Sequence, residues 1–85
     1  CEIEEFKLTD NIDEINNFST RTASFFDFSK RDEALLLATK VSGKLIGNPK
    51  GKVFFSPGMI MIFLGSQEQL NRIRVHLKEV LVNTP

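Results

Sequence analysis

His76 is the only imidazole in this chain and Cys1 the only thiol, and they stand at opposite ends of it. A nucleophile needs a base beside it, and a zinc site draws several cysteine, histidine or carboxylate ligands from short spacings. Neither pattern occurs. Asp32 and Glu33 are adjacent carboxylates that could act as an acid–base pair, but Ser29 three residues earlier makes them helix-start acids, placed to favour the positive end of the helix dipole. His76 reads as a surface residue sharing a polar stripe with Arg72 and Glu79. The residues therefore assign no catalytic group, no metal ligand and no cofactor site, and the chain is expected not to be an enzyme.

Motifs for phosphate and nucleic-acid chemistry are incomplete. No Gly-Lys-Ser/Thr follows a glycine at Walker spacing. Gly43-Lys44-Leu45-Ile46-Gly47 has glycines near the spacing of the loop with which K-homology domains clamp a nucleic-acid backbone, but is one residue longer and apolar in its middle. Lys40, Lys44, Lys50, Lys52, Arg72, Arg74 and Lys78 could form a basic patch. Against it stand a formal net charge of zero and eight phenylalanines with no tyrosine or tryptophan to stack and hydrogen-bond a base. Nucleic-acid or ribonucleoprotein binding by that patch is thus the alternative reading, not the main one.

The elements that would position these side chains are clearest from Gly51 to Leu81. Val53, Phe54 and Phe55 have the β-branched and aromatic character of a strand. Pro57-Gly58 supplies a type II turn, with proline presetting one φ and glycine accepting the positive one. Met59 to Leu64 is an unbroken apolar run, too short to span a membrane and lacking the alternation of a strand with one wet face, so it predicts a strand covered on both sides. Ser66 and Gln69 have capping-box spacing. A helix follows from Gln67 to Leu81, with Leu70, Ile73, Leu77, Val80 and Leu81 on its buried stripe.

Upstream, Glu2 to Leu8 suits a strand, and Asp10 or Asn11 caps a short helix in which Ile12, Ile15 and Phe18 recur about a turn apart. Ala23 to Phe28 predicts another strand. Ser29 then opens a second helix whose buried stripe is Ala34, Leu37, Ala38, Val41 and Leu45, with Ser42-Gly43 a break or fray point and Gly47-Asn48-Pro49 its end. The predicted fold is α+β, a small two-layer sandwich in the order (β-α-)β-α-β-β-α, with helices on one face of a three- to four-stranded sheet. Charge divides the chain: Glu2, Glu4, Glu5, Asp10, Asp13 and Glu14 face Lys7 alone in the first 17 residues, and the remainder is basic. Residues 1–20 are accordingly set apart as an acidic segment, and 21–85 as one domain.

Apolar surplus is the positive functional signal. With both helices on one face of the sheet, alternate residues of the apolar strand, Ile60, Ile62 and Leu64, point to the other. Left wet, they forfeit several kcal/mol at about 25 cal/mol per Å². Their cover is either residues 1–20 or a partner subunit. The expected partners are a protein or a second copy of the chain, with no small-molecule substrate. Cys1 is an excised boundary, an ordinary thiol, or the lipid-bearing first residue of a bacterial lipoprotein, and that lipid is the only membrane attachment considered.

The order and local pattern resemble the small periplasmic domains of bacterial secretins and related ring-building modules of secretion systems. Phe25 to Phe28, Lys30 to Val41, Gly51 to Leu64, Gly65-Ser66 and Gln67 to Leu81 occupy the strand, helix, hairpin, small-polar step and closing helix of those domains. Pro57-Gly58 replaces an asparagine common at their hairpin. The resemblance implies a non-enzymatic assembly module of the bacterial periplasm or envelope, packing beside copies of itself or another ring protein. It makes Lys50 and Lys52 at the hairpin base, and Arg72, His76 and Glu79 on the open helix face, interface candidates beside Ile60, Ile62 and Leu64.

Overall fold

One apolar strand with antiparallel neighbours on both sides organises the fold of this computed structural model, which describes residues 1–22, 26–27, 34–47 and 52–82. In chain order the elements are β1 (Glu2–Lys7), α1 (Ile12–Thr22), β2 (Phe26–Asp27), β3 (Leu35–Val41), β4 (Lys44–Gly47), β5 (Lys52–Val53), β6 (Ile60–Gly65) and α2 (Gln67–His76). The main sheet runs β1-β6-β3-β4, and β2 pairs with β5 in a second, two-stranded sheet. This is the small two-layer α+β fold the sequence predicts, though not with every predicted element.

Local chemistry explains the elements that match. Asn11 caps α1, its Oδ1 accepting from the backbone N–H of Asp13 at 3.0 Å and Glu14 at 3.2 Å. Ile15 and Phe18 are buried as predicted, while Ile12 is exposed. Both bonds of the capping box at α2 form: Ser66 Oγ accepts from the Gln69 N–H at 3.1 Å, and the Gln69 Oε1 accepts from the Ser66 N–H at 2.8 Å. The helix stops at His76 rather than Leu81, yet the turns that follow keep Leu77 and Val80 as buried as Leu70 and Ile73.

Two predicted elements are corrected. The helix placed on Ala34 to Val41 is strand β3, joined to β4 by a two-residue turn. Ser42 and Gly43 both take positive φ, +52° and +79°, the requirement of a type I′ hairpin. A bulge between Leu36 and Ala38 shifts the strand's parity, so its apolar residues fall at helix-like spacings although the backbone is extended. The start of that predicted helix, including Ser29, Asp32 and Glu33, lies outside the described residues, as do parts of the predicted strand around Phe26 and Asp27.

The second correction concerns the hairpin at Pro57-Gly58. The turn itself forms as predicted: Met59 N–H donates to Ser56 C=O at 3.2 Å, and Gly58 has φ +72°. It does not join paired strands. Type II turns splay the arms of a tight hairpin, and here β5 leaves to pair with β2 while β6 enters between β1 and β3.

The core lies between one sheet face and the two helices. Phe6, Leu36, Met61 and Phe63 meet Ile15 and Phe18 of α1, and Leu70, Ile73, Leu77 and Val80 of α2 and its extension, in a single buried cluster. Phe6 and Phe63 pack edge to face at 5.7 Å, as do Phe18 and Phe55 at 5.3 Å.

Candidate functional site

Residues directly opposite in an antiparallel pair share a face, so the registers define the side of the sheet away from the core. Ile3, Leu64 and Leu35 form one cross-strand row, Glu5, Ile62 and Ala38 the next, and Lys7, Ile60, Lys40 and Leu45 the third. Met61 and Phe63, which alternate with these on β6, are fully buried beneath the helices. Ile60, Ile62 and Leu64 are half-buried, and Ile3, Leu35 and Leu45 are 64%, 58% and 62% exposed. The apolar run of β6 predicts cover on both faces; no described helix covers this one.

The result is an apolar surface of six aliphatic side chains from all four strands. Contiguous exposed apolar surface of this kind marks interaction sites. Glu5, Lys7 and Lys40 stand within and beside it and supply charge of both signs. Such a surface has no chemistry of its own. It can bind another apolar surface, most simply a second sheet laid across it at a spacing of about 10 Å.

Of the residues singled out from sequence, Ile60, Ile62 and Leu64 come together at the middle of this face. Ile3, Leu35 and Leu45 are not among the interface candidates read from sequence. Reading Leu35 to Gly47 as two strands about Ser42-Gly43 would have placed the two leucines beside them. The polar candidates lie elsewhere. Arg72 and His76 line a shallow hollow on α2 with Glu68, Asn71 and Val75, in the layer opposite the open sheet face. Arg72 bonds Glu68 one turn earlier at 3.1 Å. Lys52 is in β5, and Lys50 lies outside the described residues.

Glu79 is taken up in an ion pair that ties the end of α1 to the segment after α2. Both terminal guanidinium nitrogens of Arg21 donate to its carboxylate, one at 3.3 Å. The hydrogen bond from Arg21, aided by its charge and opposed by desolvation, lowers the Glu79 pKa below the ordinary carboxylate value, and the same bond raises that of Arg21.

The basic residues of the nucleic-acid reading do not converge. Lys40 is on the open sheet face and Lys44 at the β3–β4 turn, while Arg74 pairs with Glu4 across α2 and β1. Gly43 to Gly47, weighed above as a nucleic-acid loop, is half of the β3–β4 turn followed by β4. Among the described residues no three histidine, cysteine, aspartate or glutamate side chains gather as a metal site, and no helix is long and apolar enough to cross a membrane.

No protein-family model matches the chain, and no curated protein matches it. Among solved structures, the chain is similar to the RCK_C domain dimer of S. agalactiae BusR in complex with c-di-AMP, with a TM-score of 0.59 and 15% sequence identity over 92% of this chain and 97% of that one. At that identity the likeness is one of fold. It replaces the secretin resemblance, which rested on a helix over Lys30 to Val41 and a hairpin over Gly51 to Leu64 that the structure does not contain. The periplasmic and envelope placement drawn from that resemblance is corrected with it. The expectation of no small-molecule ligand also loses support, since the matched domain holds one.

Proposed function

We propose that this chain is a non-catalytic, regulatory association module that pairs with a second copy of itself through the open face of its sheet. The observation that carries the reading is the aliphatic surface of Ile3, Leu35, Leu45, Ile60, Ile62 and Leu64, covered by no described helix, on a sheet whose other face bears the buried core. A two-fold pairing of that face buries apolar area on both copies at once, and the mixed charges of Glu5, Lys7 and Lys40 supply a polar rim. That the matched RCK_C domain is a dimer supports the same reading.

Sedimentation equilibrium across concentration tests it. The wild-type chain is expected to approach twice the monomer mass, and Leu35→Lys, which places a charge on an already exposed position, to remain a monomer with unchanged stability. A wild-type monomer at millimolar concentration, or a dimer indifferent to Leu35→Lys, would overturn it.

A second reading is favoured by the ligand of the matched structure. If pairing here also forms a nucleotide site, c-di-AMP is the first ligand to titrate, and calorimetry should give one molecule per two chains. Heat equal to dilution would remove this reading without touching the first.

A further inference from the structure

The open sheet face carries charges as well as apolar side chains, and their positions limit how a second copy can lie on it. Glu5, Lys7 and Lys40 are exposed there, and none has an ion-pair partner among the described residues. Glu5 and Lys7 also border the groove beside β1 that holds Lys78. The registers place Ile3, Leu64 and Leu35 in a first row, Glu5, Ile62, Ala38 and Gly47 in a second, and Lys7, Ile60, Lys40 and Leu45 in a third. With strands about 4.8 Å apart and rows about 6.6 Å apart, the face is nearly a square of about 14 Å a side. Such a square can meet its two-fold copy with strands aligned or crossed at right angles.

Charge separates these arrangements. A two-fold axis along the strands sets each row on itself, so the third row gathers four lysines with no glutamate opposite. An axis across the strands sets each strand on itself, with Glu5 against Glu5 and Lys40 against Leu35. Sliding the copies until Glu5 meets Lys7 leaves Ile3, Leu64 and Leu35 beyond the other copy's surface. In the crossed arrangement whose axis joins the Ile3 and Leu45 corners, Glu5 falls between Leu64 and Leu35, which buries an unpaired carboxylate. Crossing about the axis through the Lys7 corner avoids all of these. Glu5 of each copy then meets Lys40 of the other, Ile3 meets Leu45, and Leu35 lies beside Gly47, which has no side chain to intrude. The two Lys7 side chains share an outer corner, where water and salt screen them.

We propose that two copies pair through their open faces with strands crossed at right angles, and that reciprocal Glu5–Lys40 ion pairs between the copies select that geometry. The proposal rests on pairing through the open face and adds the residues that fix its register. Both ion pairs border the apolar centre, so they act chiefly by penalising the other arrangements.

Sedimentation equilibrium of the full chain reads the dimer dissociation constant. Glu5→Lys and Lys40→Glu each set like charges together across the interface and should raise it at least tenfold. Both changes in one chain should return it to within threefold of wild type, whereas Glu5→Lys combined with Lys7→Glu or with Lys78→Glu should stay weak. A Glu5→Lys, Lys40→Glu chain as weak as the single variants, or equal rescue by Lys7→Glu or Lys78→Glu, would overturn the crossed geometry. Loss of the dimer in Leu35→Lys with unchanged affinity in Glu5→Lys would also overturn it, while leaving pairing through the open face in place. A wild-type monomer at millimolar concentration would remove both.

Discussion

Gly58 is constrained by its backbone. Its φ of +72° is one that side-chain-bearing residues rarely adopt, and a Cβ there would also displace the exposed Asp10 carboxylate. Gly58→Ala is therefore expected to cost roughly 1–3 kcal/mol, read as a lower urea midpoint. Cost-free replacement would mean that the turn relaxes to another type. The Arg21–Glu79 pair makes a pH-dependent prediction. Because the folded-state pKa of Glu79 lies below its unfolded value, the pair's stabilisation is complete above the ordinary carboxylate range and is lost as pH falls through the lowered pKa. Arg21→Gln should raise the Glu79 titration midpoint, followed by carboxyl NMR, toward the ordinary value. An unchanged midpoint would place the cause elsewhere. Both groups are exposed, so their effect on stability is small.

Turns and caps decided which elements could be read from sequence. Caps and one turn with a specific backbone need are legible from sequence: Asn11 at the start of α1, Ser66 and Gln69 at α2, Pro57-Gly58 at its turn. Legibility fails where tertiary pairing chooses between alternatives. Ala34, Leu37, Ala38, Val41 and Leu45 recur at helical spacing only because a bulge shifts the parity of β3 and because the outer face of the strand is itself apolar. The discriminating signal was Ser42-Gly43, two residues suited to a type I′ turn between two apolar stretches. The aliphatic site was legible only in part for the same reason, Ile60, Ile62 and Leu64 from the run in β6 but not Leu35 and Leu45. The turn can be tested directly. Ser42→Asn suits positive φ better and should stabilise the fold by about 0.5 kcal/mol, whereas Ser42→Val should destabilise it by more. If both variants unfold at the wild-type urea concentration, the hairpin conformation assigned to Ser42 is wrong.

At the scale of the molecule, one layer of helices protects one side of a four-stranded sheet and leaves the other apolar. Phe6, Met61 and Phe63 face the helices, and Ile3, Ile60, Ile62, Leu35 and Leu45 face outward. A small domain draws stability from a modest buried area, so a second apolar face is best explained by what it meets in assembly. The most direct check is isotope-filtered NMR on a mixture of methyl-labelled and unlabelled chains, which detects contacts only between different copies. Contacts between copies among the methyls of Ile3, Leu35, Leu45, Ile60, Ile62 and Leu64 are expected. Contacts between copies that arise solely from α2 or the β1 edge, or none at a concentration where sedimentation shows dimer, would contradict pairing through the open sheet face.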